Sequence, residues 1–419
     1  MSVHDPAVWL ISLVSIGLVL IRPKGVAEAW WASLGACLLV LFRLISVSAA
    51  ADAVSKGLDV YFFLVGMMIM SELARREGVF DWVAGHAVRG ARGSQSRLFL
   101  LIYLVGTAVT VFLSNDATAV VLTPAVLAAV RAADAEPLPY LLICAFIANA
   151  ASFVLPISNP ANLVVYSSGM PPLAPWLLTF GLPSLASIVV TFLLLRWLSS
   201  RFLVGATKRD VDAKPLSPTG WATLYGIGLL AVVLMAASAF NIDLGAPAFC
   251  VGILVAGAVS VRDHSVPAGV AKEISWSVLP LVAGLFIIVE AMGKTGALGL
   301  ATHAITAVSH WPTIDAIMAS GFGVAVISNL TNNLPSGLIS GAAVKAAGAV
   351  GPIRDSVLIG VDLGPNLSVT GSLATILWLV AIRREGLHVS FWTFLRFGAL
   401  IMPPALTLSL LTLLLSSSK

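Results

Sequence analysis

Two short polar stretches decide how this chain folds: SNDAT at 114–118 and SNLTNN at 328–333, each set in the middle of a long apolar run. The runs cover about 97–131 and 313–349, and each half is about 15 residues long. A helix needs roughly 20 mostly apolar residues to cross a bilayer. Both runs therefore read as re-entrant hairpins that enter and leave on one side, with the polar residues at their tips. Irregular backbone at membrane depth is tolerated only inside protein or along a water-filled cavity. The two tips thus mark the interior of the molecule.

The surrounding composition agrees. Of 419 residues 58% are hydrophobic, and 24 basic plus 20 acidic side chains make only 11% charged, against about 25% in a soluble domain. The mean hydropathy is +0.98. This excludes a soluble enzyme, a disulfide scaffold and a disordered chain. Ten further apolar runs, near 7–22, 27–46, 57–74, 140–166, 173–198, 219–239, 245–261, 276–293, 355–382 and 391–415, read as spans. The expected fold is all-α: a polytopic membrane protein of about ten transmembrane helices plus two re-entrant hairpins. The start, MSVHDPAVWL, has no basic leader region, so the first run is expected to stay as a span. Cys37, Cys144 and Cys250 sit in apolar runs without a CxxC pair, and the six histidines fall in loops or at span ends. No structural metal or cofactor is expected, and nothing points to nucleic acid.

Charge placement sets the orientation. With the N-terminus outside and both hairpins re-entrant, only Arg43, Lys56, Lys294, Lys345, Arg354 and Lys419 fall outside, leaving 18 of the 24 basic residues inside. Cytoplasmic loops are the ones enriched in Lys and Arg. Both termini are then expected on the outer (periplasmic) face of an inner, plasma membrane.

The polar interruptions repeat. The tip Ser114-Asn115 is followed by Asn149 and by Ser158-Asn159-Pro160; Ser328-Asn329 is followed by Asp362 and by Ser372. Subtracting positions gives 214 for Asn329 and Asn115, and 213 for both Asp362 with Asn149 and Ser372 with Asn159. The chain divides into an N-terminal repeat, 1–198, with hairpin 97–131 and broken helix 140–166; a cytoplasmic linker, 199–218; and a C-terminal repeat, 219–419, with hairpin 313–349 and broken helix 355–382. Five spans per half is an odd number, so the second repeat is inverted. Inverted repeats with paired broken helices are the mark of a secondary transporter with its site near the midplane. Broken helices present N–H and C=O ends that can hold a polar solute or ion, and Pro156, Pro160, Pro335, Pro365 and Gly371 keep them from resealing. Asn, Ser and Thr also glue transmembrane helices together, and any one of these residues could do only that.

Most acids lie in or beside loops, but Asp116 and Asp362 sit inside the breaks. An ionisable group at membrane depth suggests an ion pathway or proton relay; capping a broken helix is the plainer alternative for each. No Lys or Arg falls at any of the four breaks, which disfavours an anionic solute.

At these motifs the chain resembles the arsenite efflux permeases (ArsB-type), a branch of the ion transporter superfamily that also holds sodium/proton antiporters and di- and tricarboxylate carriers. The stretches are SNDATAVVLTPAVL (114–127), SNLTNNLPSG (328–337) and GVDLGPNLSVTGSLATILWL (360–379). Dicarboxylate carriers have Ser-Asn-Thr at both tips, where this chain has Asp116 and Leu330 in the third position. The resemblance implies export of trivalent arsenic, and with it antimony, as small neutral metalloid hydroxides, in exchange for protons. On that reading Asn115, Asn149, Ser158, Asn159, Asn329, Asn332, Asn333 and Ser372 line the substrate site, and Asp116 and Asp362 couple the protons. Some relatives work with a cytosolic arsenical-stimulated ATPase, which the linker could dock. A sodium/proton antiporter and a passive channel stay open as alternatives. An enzyme does not fit, because no nucleophile, base and orienting group occur together.

Overall fold

The computed structural model describes residues 5–21, 23, 26–166, 169–208 and 215–417. Arg22, Lys24, Arg209, Lys214 and Lys419, used above for orientation, lie outside these, as does 209–214 of the expected linker. The first half runs α1 (Asp5–Ile21), α2 (Glu28–Leu41), α3 (Val47–Ser55), α4 (Leu58–Arg76), α5 (Val79–Ala91), α6 (Gln95–Phe112), α7 (Thr123–Ala132), α8 (Pro137–Ala150), α9 (Pro160–Val165) and α10 (Leu173–Leu198). The second runs α11 (Pro218–Ala239), α12 (Gly245–Ser260), α13 (Val266–Glu273), α14 (Val278–Gly293), α15 (Ala297–Ser309), α16 (Thr313–Thr331), α17 (Asn333–Ala346), α18 (Pro352–Leu363), α19 (Leu373–Arg384) and α20 (Phe391–Ser417). The fold is all-α, with no strand among the described residues.

The ten helices of one half recur in the other, element for element. α2 packs on α14 as α12 packs on α4, α1 lies on α2 as α11 lies on α12, and α10 meets α20. Backbone contact makes the scaffold crossings tight. A Cβ on Gly66 of α4 would stand 2.4 Å from the Ala248 carbonyl carbon of α12, and one on Gly284 of α14 would stand 2.7 Å from that of Ala32 in α2. Lipid gives no hydrophobic drive for helices to pair, so small residues that let backbones touch are what hold them.

The short helices α3, α5, α13 and α15 are additions to the expected layout, where those segments read as loops or span edges. α3 bends by 48° into α4, and α13 by 42° into α14. Their apolar stripes are one-sided and too short to register as spans.

Both hairpins are present, with longer first arms than expected: α6 has 18 residues and α16 has 19. Each is long and apolar enough to cross by length alone. Hairpin 1 begins and ends on the same side, because one segment of chain grips both its ends. Thr207 N donates to Gly93 O at 3.0 Å at the start of α6, and Lys208 N donates to Ala133 O at 3.0 Å just after α7. Lys208 Nζ also lies 2.7 Å from Asp134 Oδ2. Hairpin 2 closes by α17 packing back on α16, with α15 against both.

Two sets of helices result. α1–α4 and α11–α14 pack on one another. The hairpins, the broken helices α8–α9 and α18–α19, and α10 with α20 pack on one another. The sets meet along narrower seams, α14 with α17 and α4 with α9 among them.

Candidate functional site

The breaks arise where the sequence denies a helix its next bond. After α8 the chain turns through Ala151–Leu155, passes Pro156–Ser158 as a single 3₁₀ turn, and restarts at Pro160, which has no N–H to offer. Asn159 is the cap: its Oδ1 accepts from Ala161 N at 3.0 Å. In the second repeat Gly364–Leu367 and Val369–Gly371 are 3₁₀ turns, and Ser372 caps α19 by accepting from Ala374 N at 3.2 Å. Asn162 gathers carbonyls the first break strands, its Nδ2 donating to Ser152 O at 2.9 Å and to Leu155 O and Pro156 O at 3.3 Å.

The two broken helices run antiparallel and are bonded to each other along their length. Trp378 Nε1 donates to Leu141 O at 2.9 Å, and Asn366 Nδ2 donates to Phe146 O at 3.0 Å. Asn149 Nδ2 donates to Asn366 Oδ1 at 3.0 Å and reaches Thr375 Oγ1 at 3.3 Å. Asn159 Nδ2 donates to Asp362 Oδ1 at 2.8 Å. Tyr166 Oη donates to Asp355 Oδ1. Paired numbers add to about 520 throughout, so the pairing is centred on the two breaks.

Asp362 is fully buried, 0% exposed, and its Oδ2 has no hydrogen-bond partner. Asn149 Oδ1, Asn162 Oδ1 and Asn333 Oδ1 are likewise buried without partners. Buried polar atoms are nearly always bonded. Three of these acceptors lie at the two breaks and Asn333 at the tip of hairpin 2; an acceptor short of a donor suits a solute, water or proton that supplies one.

The hairpin tips attach to this core. Ser158 Oγ donates to Val111 O at 3.0 Å, joining the first break to hairpin 1. Asn329 Nδ2 donates to Gly364 O at 2.8 Å and its Oδ1 accepts from Ser368 at 2.7 Å, joining hairpin 2 to the second break. Asn332 stands at φ 73°, a left-handed conformation costly for a non-glycine residue, and caps α17 with its Oδ1 toward Leu334 N at 3.4 Å. Asn115 is buried, its Oδ1 accepting from Asp116 N at 2.9 Å.

The structure therefore joins Asn159 to Asp362 directly, places Asn149 on a neighbouring rung with Asn366 and Thr375, ties in Ser158 and Asn329, and uses Asn332 and Ser372 as caps. Asp116 is apart. It is half-buried at the tip of hairpin 1, and among the described residues no hydrogen bond or ion pair joins its carboxylate to Asp362 or to any other group. The chain after it opens as a π-helix over Ala117–Leu122, a wide turn frequent at functional sites. Asn366, Thr375, Ser368 and Asn162 are polar members of the core beyond the expected site residues. The offset of 213 that pairs Ser372 with Asn159 also pairs Thr375 with Asn162, which would have found two of them.

A cavity of about 580 Å³ lies elsewhere. It opens between α5, α7 and the start of α11, with Glu77, Asp81, Trp82 and Ala129 on its walls, and none of the expected site residues. A water-sized cavity of about 10 Å³ has Asn332 and Leu334 on one wall and Glu28 and Leu281 on the other. Cys144 is buried; Cys37 and Cys250 are exposed on apolar helices.

Residues 16–365 match the family model described as citrate transporter, CitMHS. The chain is 27% identical to the arsenical pump membrane protein of Escherichia coli K12, over 97% of this chain and 98% of that protein. It is 26% identical to the arsenical pump membrane protein of Yersinia enterocolitica with the same coverage. An uncharacterised transporter of Mycobacterium tuberculosis H37Rv is 28% identical over 96% and 97% of the two chains. The crystal structure of the Alcanivorax borkumensis YdaH transporter, described as having an unusual topology, superposes with a TM-score of 0.54 at 15% identity, covering 100% of this chain and 98% of that one. That likeness concerns the fold.

Proposed function

Since the chain belongs to the citrate transporter (CitMHS) family, as a multi-pass membrane transporter similar end to end to arsenical pump membrane proteins, we propose that it exports trivalent arsenic hydroxide, and antimony hydroxide with it, from the cytoplasm in exchange for protons. One observation carries this reading: a single carboxylate, Asp362, held by an amide, Asn159, at the crossing of the two broken helices, with no cationic side chain bonded to it. Citrate would bring several negative charges to that carboxylate, and charge at such depth needs a partner. Arsenous acid is an uncharged pyramidal triol near neutral pH. Its three O–H groups donate and its oxygens accept, which suits partnerless amide oxygens together with hydroxyl and amide donors. Asn115, Asn149, Ser158, Asn159, Asn329, Asn332, Asn333 and Ser372 are the substrate-site residues on this reading.

Asp362 is the first candidate for the coupled proton and Asp116 the second. A neutral solute leaving as a proton enters moves net charge, so the membrane potential adds about 2.3 kcal/mol per charge per 100 mV. The hairpins and broken helices form the moving set, and α1–α4 with α11–α14 the scaffold; alternating access is their relative displacement. We place both termini outside, and the strapped base of hairpin 1 at the cytoplasmic face of the inner membrane, where Arg131, Arg383 and Arg384 gather. A cytosolic ATPase is not needed for this cycle.

The test is radiolabelled arsenite uptake into everted membrane vesicles under an imposed proton gradient, with and without sodium. Uptake that follows the proton gradient and ignores sodium is the expected result. Sodium flux without arsenite flux would sink the proposal in favour of a sodium/proton antiporter, and arsenite flux indifferent to the gradient would favour a channel.

A further inference from the structure

The ladder of bonds between the broken helices ends differently at its two extremes. At the end near the strapped base of hairpin 1 the closing rung is neutral, Trp378 Nε1 to Leu141 O. On that same face Arg131, near the end of α7, bonds to Glu385 just after α19. At the opposite end the closing rung is ionisable: Asp355, on the first turn of α18, accepts from Tyr166 where α9 ends. Shifted by 213, Tyr166 corresponds to Leu379 and Asp355 to Leu142. The rung therefore breaks the internal symmetry of the repeats.

Asp355 is 7% exposed. Arg354 Nε lies 3.6 Å from its Oδ1, too far for a hydrogen bond, and the Arg354 guanidinium sits 4.5 Å over the Tyr166 ring. The other groups on elements packed nearby are Ser320 of α16, bonded to Ser356, and Asp315 and Lys345 on α16 and α17, both exposed. Asp355 stands seven residues before Asp362, which is two helical turns and puts both carboxyls on one face of α18, about 10.5 Å apart along its axis.

We infer that Asp355, bonded to Tyr166 at the outer end of the paired broken helices, is the outer proton acceptor of the exchanger, a functional carboxyl in addition to Asp116 and Asp362. The inference rests on the proton-exchange reading above. Its carboxylate takes a proton from the outer solution and becomes a carboxylic acid. When the seam between α9 and α18 loosens, that proton passes through admitted water to the Asp362 carboxylate, and the Asp355 carboxylate is restored. Tyr166, as donor to the carboxylate, holds it in place; Arg354 keeps the rung near neutral overall.

The experiment is arsenite uptake by everted vesicles, whose lumen is the outer face, with luminal pH varied and bath pH fixed. For D355N the half-maximal rate is expected at about tenfold more luminal protons, a shift of about one pH unit, while the bath arsenite concentration for half-maximal uptake stays at the parent value. D355E restores the parent profile, and Y166F, which takes away a donor that favours the charged carboxylate, shifts it the opposite way, toward fewer luminal protons, by less. A D355N profile that coincides with the parent overturns the inference. Equal loss at every luminal pH, with Y166F unchanged, also overturns it, because a structural strut would do that. Should D355N fail to reach the membrane, Y166F decides alone: a shifted profile supports the acceptor role and an unmoved one overturns it. A parent that takes up no arsenite sinks the functional reading itself, a result separate from an unmoved profile in an active parent.

Discussion

Replacing Asp362 by Asn separates coupling from folding. The amide has the size of the carboxylate, and its oxygen can keep the 2.8 Å bond from Asn159 Nδ2. The new NH₂ would stand where Oδ2 now stands without a partner, so one unsatisfied atom replaces another. An unmet buried donor costs about 1–3 kcal/mol. The parent already bears a comparable cost, so the net change in stability is expected within about 1 kcal/mol. Transport is another matter, because an amide cannot load and release a proton. One proton exchanged for one neutral solute, at a potential of about 100 mV and a pH difference of about one unit, provides about 3.7 kcal/mol. That sets a ceiling of about 500-fold on the arsenite gradient. Everted vesicles of the parent should accumulate arsenite toward that ceiling, whereas those of D362N should stop at the bath concentration. The thermal midpoint in detergent should stay close to that of the parent. Accumulation by D362N above the bath level under the same gradient would refute the assignment of the proton to Asp362.

Three other outcomes follow from the geometry. Gly371→Ala would place a Cβ 2.7 Å from both Asn329 Oδ1 and Pro365 Cα, and overpacking of that kind costs about 1–3 kcal/mol; arsenite flux should fall at normal expression, with a lowered thermal midpoint. Asn149→Ala strips the donor from Asn366 Oδ1 and Thr375 Oγ1, so the midpoint should drop by an amount corresponding to about 1–2 kcal/mol, and an unchanged midpoint would show that this rung holds nothing. Asp134→Asn removes an ion pair with Lys208 whose side chains are 62% and 64% exposed while keeping a residue type that accepts the φ of 54° there; such pairs are worth at most about 1 kcal/mol, so neither midpoint nor flux should move, since the backbone bonds of Thr207 and Lys208 keep the base of hairpin 1 in place.

Much of this site is legible in the sequence, and particular residues say why. Asn159 and Ser372 stand out because a polar residue beside Pro160, or before an apolar run, is what a broken helix needs at its restart. Asp362 stands out because charge is rare in such a chain. Asp355 did not, since it follows Arg354 at the edge of a span and reads there as a surface ion pair; only the arrival of Tyr166, 189 positions away, makes it interior. Asn366 is hidden for the same reason, its partner Asn149 lying in the other repeat. The short helices α3, α5, α13 and α15 were missed because a one-sided stripe of two or three turns is too weak a periodic signal against the long apolar runs beside them.

The sequence by itself determined the solvent, the class and the symmetry. A composition with 11% charge fits a chain covered by lipid, and its polar motifs recur at offsets of 213 and 214. Tertiary structure alone decided which polar groups meet. The broken helices belong to different halves, and Asn149, Asn159, Asp355, Asp362 and Asn366 each meet a partner about 200 residues away. Periodicity along a chain records which face of a helix is polar; it holds no record of what that face is laid against.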